Sequence, residues 1–413
     1  MSRNVLLMAY IMAVWFEISF VTNLIGPLMP VVISDFHLSL ALAGFLPFSF
    51  FLAYGLISIP AGALIEARGP RMTLLLAFAL NLSGCLAISL WPTYLVVIAG
   101  LFVIGVGMAM QQVVINPLMR TTGGEAHFAF FSVMAQLVFG AASFVSPLVF
   151  AAVMKQPATP ARPIVWVELY WAFVAVYVLL LLITSRLTIP QVTLAEDERP
   201  GTLAMYRSLM RERPVQLFFL GIIAYVGTEQ SLADWMSQFL ATYHHFSPTV
   251  EGARAVSLFW GLMSVGCLLG LVLLRLLDSK VVLGGAAVLA LGCVALALFG
   301  PADVSLVAFP SAGFCLSVMW SIVFSLALNS VSRYHGAFSG ILCTGILGGA
   351  VVPLLVGLIG DRFGLRLAML TVLVTLGYIL GIAFWARPLI RNQTVSVLEL
   401  FNLRKKGSPA GAD

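Results

Sequence analysis

Apolar runs long enough to cross a bilayer, about 20 residues each, follow one another along this chain with little between them. They fall at residues 5–33, 40–65, 71–92, 94–119, 127–154 and 163–187, then at 215–243, 251–277, 280–299, 303–331, 336–360 and 365–390. Few folds accept such a pattern. In hydrocarbon each backbone N–H and C=O has to be paired inside its own segment, so every run must be a helix. Only 9% of the residues are charged and 61% are hydrophobic, whereas a soluble globular chain carries roughly 25% charge. Too few charges remain to coat a water-facing surface, and lipid is the solvent. The first run is too long for a signal-peptide core and no small-residue cleavage pattern follows it, so it reads as a span that stays.

The expected architecture is an all-α membrane protein of twelve spans in two six-helix bundles, over 1–187 and 215–390, joined by a cytoplasmic linker at 188–214 and followed by a tail at 391–413. Of the 22 Lys and Arg, all but Lys155, Arg162, Arg254, Arg362 and Arg366 fall on the side of the N-terminus. Short basic loops resist translocation, which places both termini in the cytoplasm of a multi-pass cell-membrane protein. The net charge of +5 therefore reflects topology and not nucleic-acid binding. The linker holds an acidic stretch and then a basic amphipathic piece at 203–213, which can lie along the inner membrane surface or be a solvated connection. Two six-helix halves describe a secondary transporter with its site near the membrane midplane between them. No phosphate-binding G-x-x-x-x-G-K-[ST] loop, metal-ligand cluster or nucleophile constellation occurs, so neither ATP hydrolysis, a cofactor nor an enzymatic role is expected. The cysteines, all within apolar runs, read as small buried hydrophobes. The chain is expected to act as a monomer.

Span 7 breaks the apolar pattern. At 100° per residue, Glu229, Gln230, Ala233, Asp234, Ser237 and Gln238 share one half of a helix, and Tyr225, Leu232, Trp235, Met236 and Phe239 are assigned to the other. A carboxylate inside a membrane helix costs a few kcal/mol. Glu17 in span 1 is a third embedded acid, and no Lys or Arg lies deep enough to pair with any of them. A proton neutralises such a group, so each can load and release one as a cavity faces alternate sides. Glu229, nearest midspan, leads; Asp234 and Glu17 are expected nearer wet cavity mouths. The histidines fall in loops or at span ends and read as solvated.

Span 4 places Gln112 and Asn116 one turn apart, and Pro117 leaves a carbonyl free of its usual donor. Ser132, Gln136, Gly140 and Ser143 line one face of span 5, and Ser317, Ser321, Ser325 and Asn329 one face of span 10. Neutral amides that both donate and accept suit sugar hydroxyls. Trp15, Tyr54, Trp260 and Trp320 can offer apolar faces to a sugar ring. Gln112, Asn116, Gln136, Gln230, Asn329, Trp320 and Tyr54 are the candidate binding residues.

Between spans 2 and 3, Gly62, Glu66, Arg68, Gly69 and Arg71 stand at the spacing G-x-x-x-[DE]-x-R-G-x-R. This resembles the signature loop of the major facilitator superfamily, with Glu66 for the usual Asp, Ala67 for a basic residue and Pro70 at another basic position. The resemblance implies a gating role, in which Glu66, Arg68 and Arg71 form charge pairs that hold one gate state. A narrower resemblance, to the fucose–galactose–glucose:proton symporter family, runs through Phe51 to Gly62, Gln112 to Pro117, Ala135-Gln136, Tyr225 to Glu229, Phe324 to Ala327, Gly348 to Gly357 and Asp361 to Gly364. It implies proton-coupled uptake of a monosaccharide, a hexose, by alternating access. The chain also departs from that family. Gly26 stands at a span-1 Asp, Gln112 at a span-4 Glu, Phe139 at a span-5 Asn and Cys267 at a span-8 Arg, so those contacts do not carry over. Sodium-coupled uptake and export of another small organic solute remain open alternatives.

Overall fold

A computed structural model describes residues 3–123, 128–158, 164–191, 203–331 and 335–389. Among these residues the chain is almost entirely helical and has no strand. The first half contains α1 (Arg3–Thr22), α2 (Ile25–Phe36), α3 (Leu40–Leu90), α4 (Tyr94–Gly123), α5 (Phe128–Met154) and α6 (Val167–Arg186). The short α7 (Leu203–Leu209) precedes the second half, which opens with α8 (Arg213–His244), α9 (Ala253–Leu276) and α10 (Ser279–Phe299). It continues through α11 (Ala302–Leu316), α12 (Met319–Leu328), α13 (His335–Thr344), α14 (Gly348–Phe363), α15 (Leu365–Ala368) and α16 (Leu370–Trp385).

Eleven helical stretches are long and apolar enough to span a bilayer. The longest, α3, has 51 residues and is two spans. Its break is Gly69, whose φ of 77° lies in the left-handed region that a residue with a Cβ rarely adopts. The count of twelve thus agrees with the apolar runs. Several spans are jointed: α1 and α2 form one, α11 and α12 another, and α13 reaches α14 through a 3-10 turn at Gly345–Leu347. Ser39 caps α3 by accepting from the Leu42 N–H at 3.2 Å, and Asp278 caps α10 through the Lys280 N–H at 2.8 Å. These side chains satisfy helix-end donors that lipid cannot.

The halves meet through small residues. Gly26 of α2 lies so close to α8 that a Cβ there would run into the Ala233 carbonyl. Gly357 of α14 stands against the Leu40 carbonyl, and a Cβ on Gly44 would lie 3.1 Å from the Leu354 Cα. The Asp361 carboxylate, at the end of α14, accepts from the Leu40 N–H at 2.7 Å and the Ala41 N–H at 3.0 Å, capping a helix of the opposite half. Ser257 of α9 donates to the Phe144 carbonyl of α5 at 2.6 Å. These contacts close the molecule at the end bearing Leu40 and Asp361.

At the opposite end, Arg71 donates to the Ser185 carbonyl of α6. Glu66 and Arg68 are exposed, and among the described residues neither forms an ion pair. Between exposed side chains such a pair gains little in water. Gly62 is buried, and Gly69 turns the chain against the Gln191 side chain. Part of the 203–213 piece forms α7, which docks on protein: Leu209 is fully buried, and Gly340 of α13 faces the Tyr206 hydroxyl. The acidic part of the linker and the tail from 390 lie outside the described residues, as do His127 and the side chain of Ser132.

Candidate functional site

A cavity of about 470 Å³ lies between the halves, within the range of small-molecule sites. The first half contributes Trp15 and Thr22 from α1, Phe51 and Tyr54 from α3, Gln112 from α4, and Gln136, Phe139 and Ser143 from α5. The second contributes Tyr225, Glu229 and Gln230 from α8, Trp260, Ser264 and Cys267 from α9, Ser317 at the α11–α12 joint, and Trp320 and Ser321 from α12. The lining continues to Leu271 and Leu274 in the last turns of α9, away from the end that Asp361 closes.

Within each helix, sequence spacing explains which side chains face the cavity together. Residues one turn apart on a helix share a face, so Gln136, Gly140 and Ser143 reach the cavity together, as do Ser317 and Ser321. The serine stripe continues into a second recess of about 380 Å³, lined by Trp320, Ser321, Phe324, Ser325, Leu328 and Asn329. Asn329 therefore lies beside the main cavity, with its amide 3.4 Å from the Ser325 hydroxyl. Asn116 lines neither space and is exposed on α4. It stands one turn beyond Gln112, directly before Pro117 and nearer the end of α4 at Gly123, where the cavity lining from this helix has stopped.

Among the described residues, Glu229 is the only Asp, Glu, Lys or Arg lining the cavity, and its Oε1 accepts from the Tyr225 hydroxyl at 3.0 Å. Tyr225 was assigned to the apolar half of this helix; the structure places it beside Glu229. Positions i and i+4 differ by about 40° on a helix, which is the signal that finds it. Tyr225 also lies 5.9 Å from the Trp320 ring, centroid to centroid.

The other two acids are elsewhere. Asp234 is 2% exposed at the crossing of α2 and α8, and its Oδ2 has no hydrogen-bond partner among the described residues. Glu17 is 7% exposed inside the first half, bonded to the Tyr177 hydroxyl. Neither lines the cavity, so the expectation of wet cavity mouths is corrected. Both are walled in by neighbouring helices that their own helix's periodicity does not reveal.

The walls suit a polar molecule with an apolar face. Trp15 packs edge-on to Phe139 at 6.1 Å, and Trp320 stacks on Phe324 at 5.9 Å. The indole N–H groups of Trp15 and Trp260 are buried without an acceptor among the described residues, one in each half. A buried donor left unpaired costs about 1–3 kcal/mol, a cost that a bound acceptor removes. Behind the wall, Ser143 is fixed by the Ser19 hydroxyl at 2.7 Å and the Asn23 amide at 2.9 Å. Phe139 and Cys267, where family contacts were judged not to carry over, both line the cavity. Gly26 instead belongs to the closed seam.

A sequence model of the Major Facilitator Superfamily matches residues 11–353. A glucose/galactose transporter of Brucella abortus biovar 1 (strain 9-941) is 28% identical over 382 residues, covering 88% of this chain and 90% of that protein. The L-fucose-proton symporter of Escherichia coli (strain K12) is 22% identical over 386 residues, covering 86% and 87% respectively. The crystal structure of a variant of the E. coli Fucose:proton symporter, FucP, superposes with a TM-score of 0.66 at 19% identity, covering 93% of this chain and 99% of that one.

Proposed function

The chain belongs to the major facilitator superfamily, and from that premise we propose that it carries a monosaccharide, a hexose, into the cell together with a proton. The observation that carries this reading is the composition of the cavity: amides, hydroxyls and aromatic faces drawn from both halves around the one carboxyl found there among the described residues, Glu229. Similarity to a glucose/galactose transporter and to an L-fucose-proton symporter points the same way.

In this reading Gln112, Gln136 and Gln230 exchange hydrogen bonds with sugar hydroxyls, and Trp320 and Tyr54 face the ring. The paired bundles are 1–187 and 215–390, with 188–214 and both termini in the cytoplasm. The structure is then the inward-facing form, sealed on the outer side by Asp361 and the glycine contacts. Glu229 takes a proton while the cavity faces outward. Crossing with the carboxyl neutral avoids carrying an unpaired charge through a low-dielectric interior. Release to the cytoplasm resets the cycle. Gly62, Glu66, Arg68, Gly69 and Arg71 act at the inner gate, which is open here and leaves the charges of that loop unpaired.

Substrate counterflow in proteoliposomes with glucose, galactose, fucose and non-sugar solutes tests the assignment. Exchange of at least one hexose is expected. Exchange confined to non-sugar solutes would contradict it.

A further inference from the structure

Glu229 does not stand alone in the cavity wall. Tyr225, one turn earlier on α8, is 3% exposed and gives its hydroxyl to Oε1 of the carboxyl. The same ring lies against Trp320 of α12, which in turn stacks on Phe324. One side chain thus touches both the acid and an aromatic face that a substrate would cover.

The remaining surroundings supply little that could substitute. The other titratable groups lining the cavity are Tyr54 from α3 and Cys267 from α9. α1 presents Trp15 and Thr22, α4 Gln112, α5 Gln136 and Ser143, α12 Trp320 and Ser321, and the turn before α14 Ile346. Among the described residues, no Lys, Arg or His lines the cavity. No other hydrogen bond reaches Glu229 among the described residues.

A phenol can donate or accept, whereas an ionised carboxylate only accepts and a protonated one also donates. The Tyr225 hydroxyl can therefore keep its bond to Glu229 in both states by reversing direction. It holds Oε1 in place and leaves Oε2 outside that bond. We propose that Tyr225 is the positioning residue that ties the proton on Glu229 to the substrate, through the hydroxyl on one side and the Trp320 ring contact on the other. This rests on the reading of Glu229 as the proton carrier. A substrate that covers Trp320 presses on the ring whose hydroxyl fixes the acid. Binding and protonation then favour one another, and by linkage the effect is reciprocal.

The test uses the full chain in proteoliposomes with Tyr225→Phe, which keeps the ring and removes only the hydroxyl. Two quantities are read: the pH dependence of hexose uptake, and the carboxyl C=O band in acid-minus-base infrared difference spectra. Tyr225→Phe is expected to displace the pH of half-maximal uptake by about one unit, a tenfold change in proton affinity, and to shift a band that Glu229→Gln abolishes. In the Glu229→Gln background, read by the counterflow that this variant keeps, adding Tyr225→Phe is expected to change the pH profile no further, the non-additivity of a coupled pair. A Tyr225→Phe protein with the parental pH profile and an unshifted band would overturn the proposal, as would a displacement that persists in the Glu229→Gln background. Parental proton-driven accumulation by Glu229→Gln alone would instead sink the carrier assignment itself.

Discussion

Gln112 and Gln136 enter the cavity as neutral amides from α4 and α5, and in the proposed function each exchanges hydrogen bonds with the sugar. One such bond is worth about 1 kcal/mol, so Gln112→Ala or Gln136→Ala is expected to raise KM for hexose uptake roughly fivefold. Asn116→Ala, outside the cavity, should leave KM within twofold, about the scatter of a surface change; a fivefold rise there would redraw the site. Glu229→Gln is expected to abolish proton-driven accumulation and spare counterflow, because the amide holds the shape of the neutral acid and cannot release a proton. Full accumulation in that variant would move the role to Asp234 or Glu17. The sequence announces Glu229, Gln112 and Gln136 because polar groups in hydrocarbon are expensive wherever they occur. It does not distinguish them from Glu17 and Asp234, which carry the same cost and are hidden by tertiary neighbours. Nor does a two-sided division of span 7 show that Tyr225 and Glu229 stand together.

At the scale of helices, the closed end depends on the contact between α14 and the start of α3. The Asp361 carboxylate caps two N–H groups of a helix in the other half, so the cap exists only while that end is shut. A helix cap is worth about 0.5–2 kcal/mol, and Asp361→Ala is expected to shift the balance toward opening at that end by roughly 2- to 30-fold. Maleimide labelling from that side of a Thr22→Cys reporter in a cysteine-free background would read the change, and an unaltered labelling rate would contradict the cap's role. Gly26→Ala is expected to act in the same direction, because the added Cβ meets the Ala233 carbonyl. The periodic apolar runs make the helices themselves legible, and Gly69 marks the break inside α3. The cap is not legible, since its partners lie 321 and 320 residues apart and neither has a local partner pattern.

For the whole molecule, twelve spans in two bundles follow from apolar length and the need to pair every backbone group in lipid. Joints within spans 1, 10 and 11 appear only once the helices are packed. Two halves that touch at one end and diverge around an amide- and aromatic-lined cavity make a shape that can alternate. In the proposed function a proton gradient drives that alternation. For one proton per sugar, a pH gradient of one unit is equivalent to a tenfold concentration ratio. The direct measurement is accumulation of labelled hexose in proteoliposomes with acid outside, the membrane potential clamped to zero and sodium absent. The account predicts an internal concentration rising toward about tenfold above the external one and falling back when the gradient is collapsed. Sugar that only equilibrates under the pH gradient, or concentrates only under a sodium gradient, would contradict it.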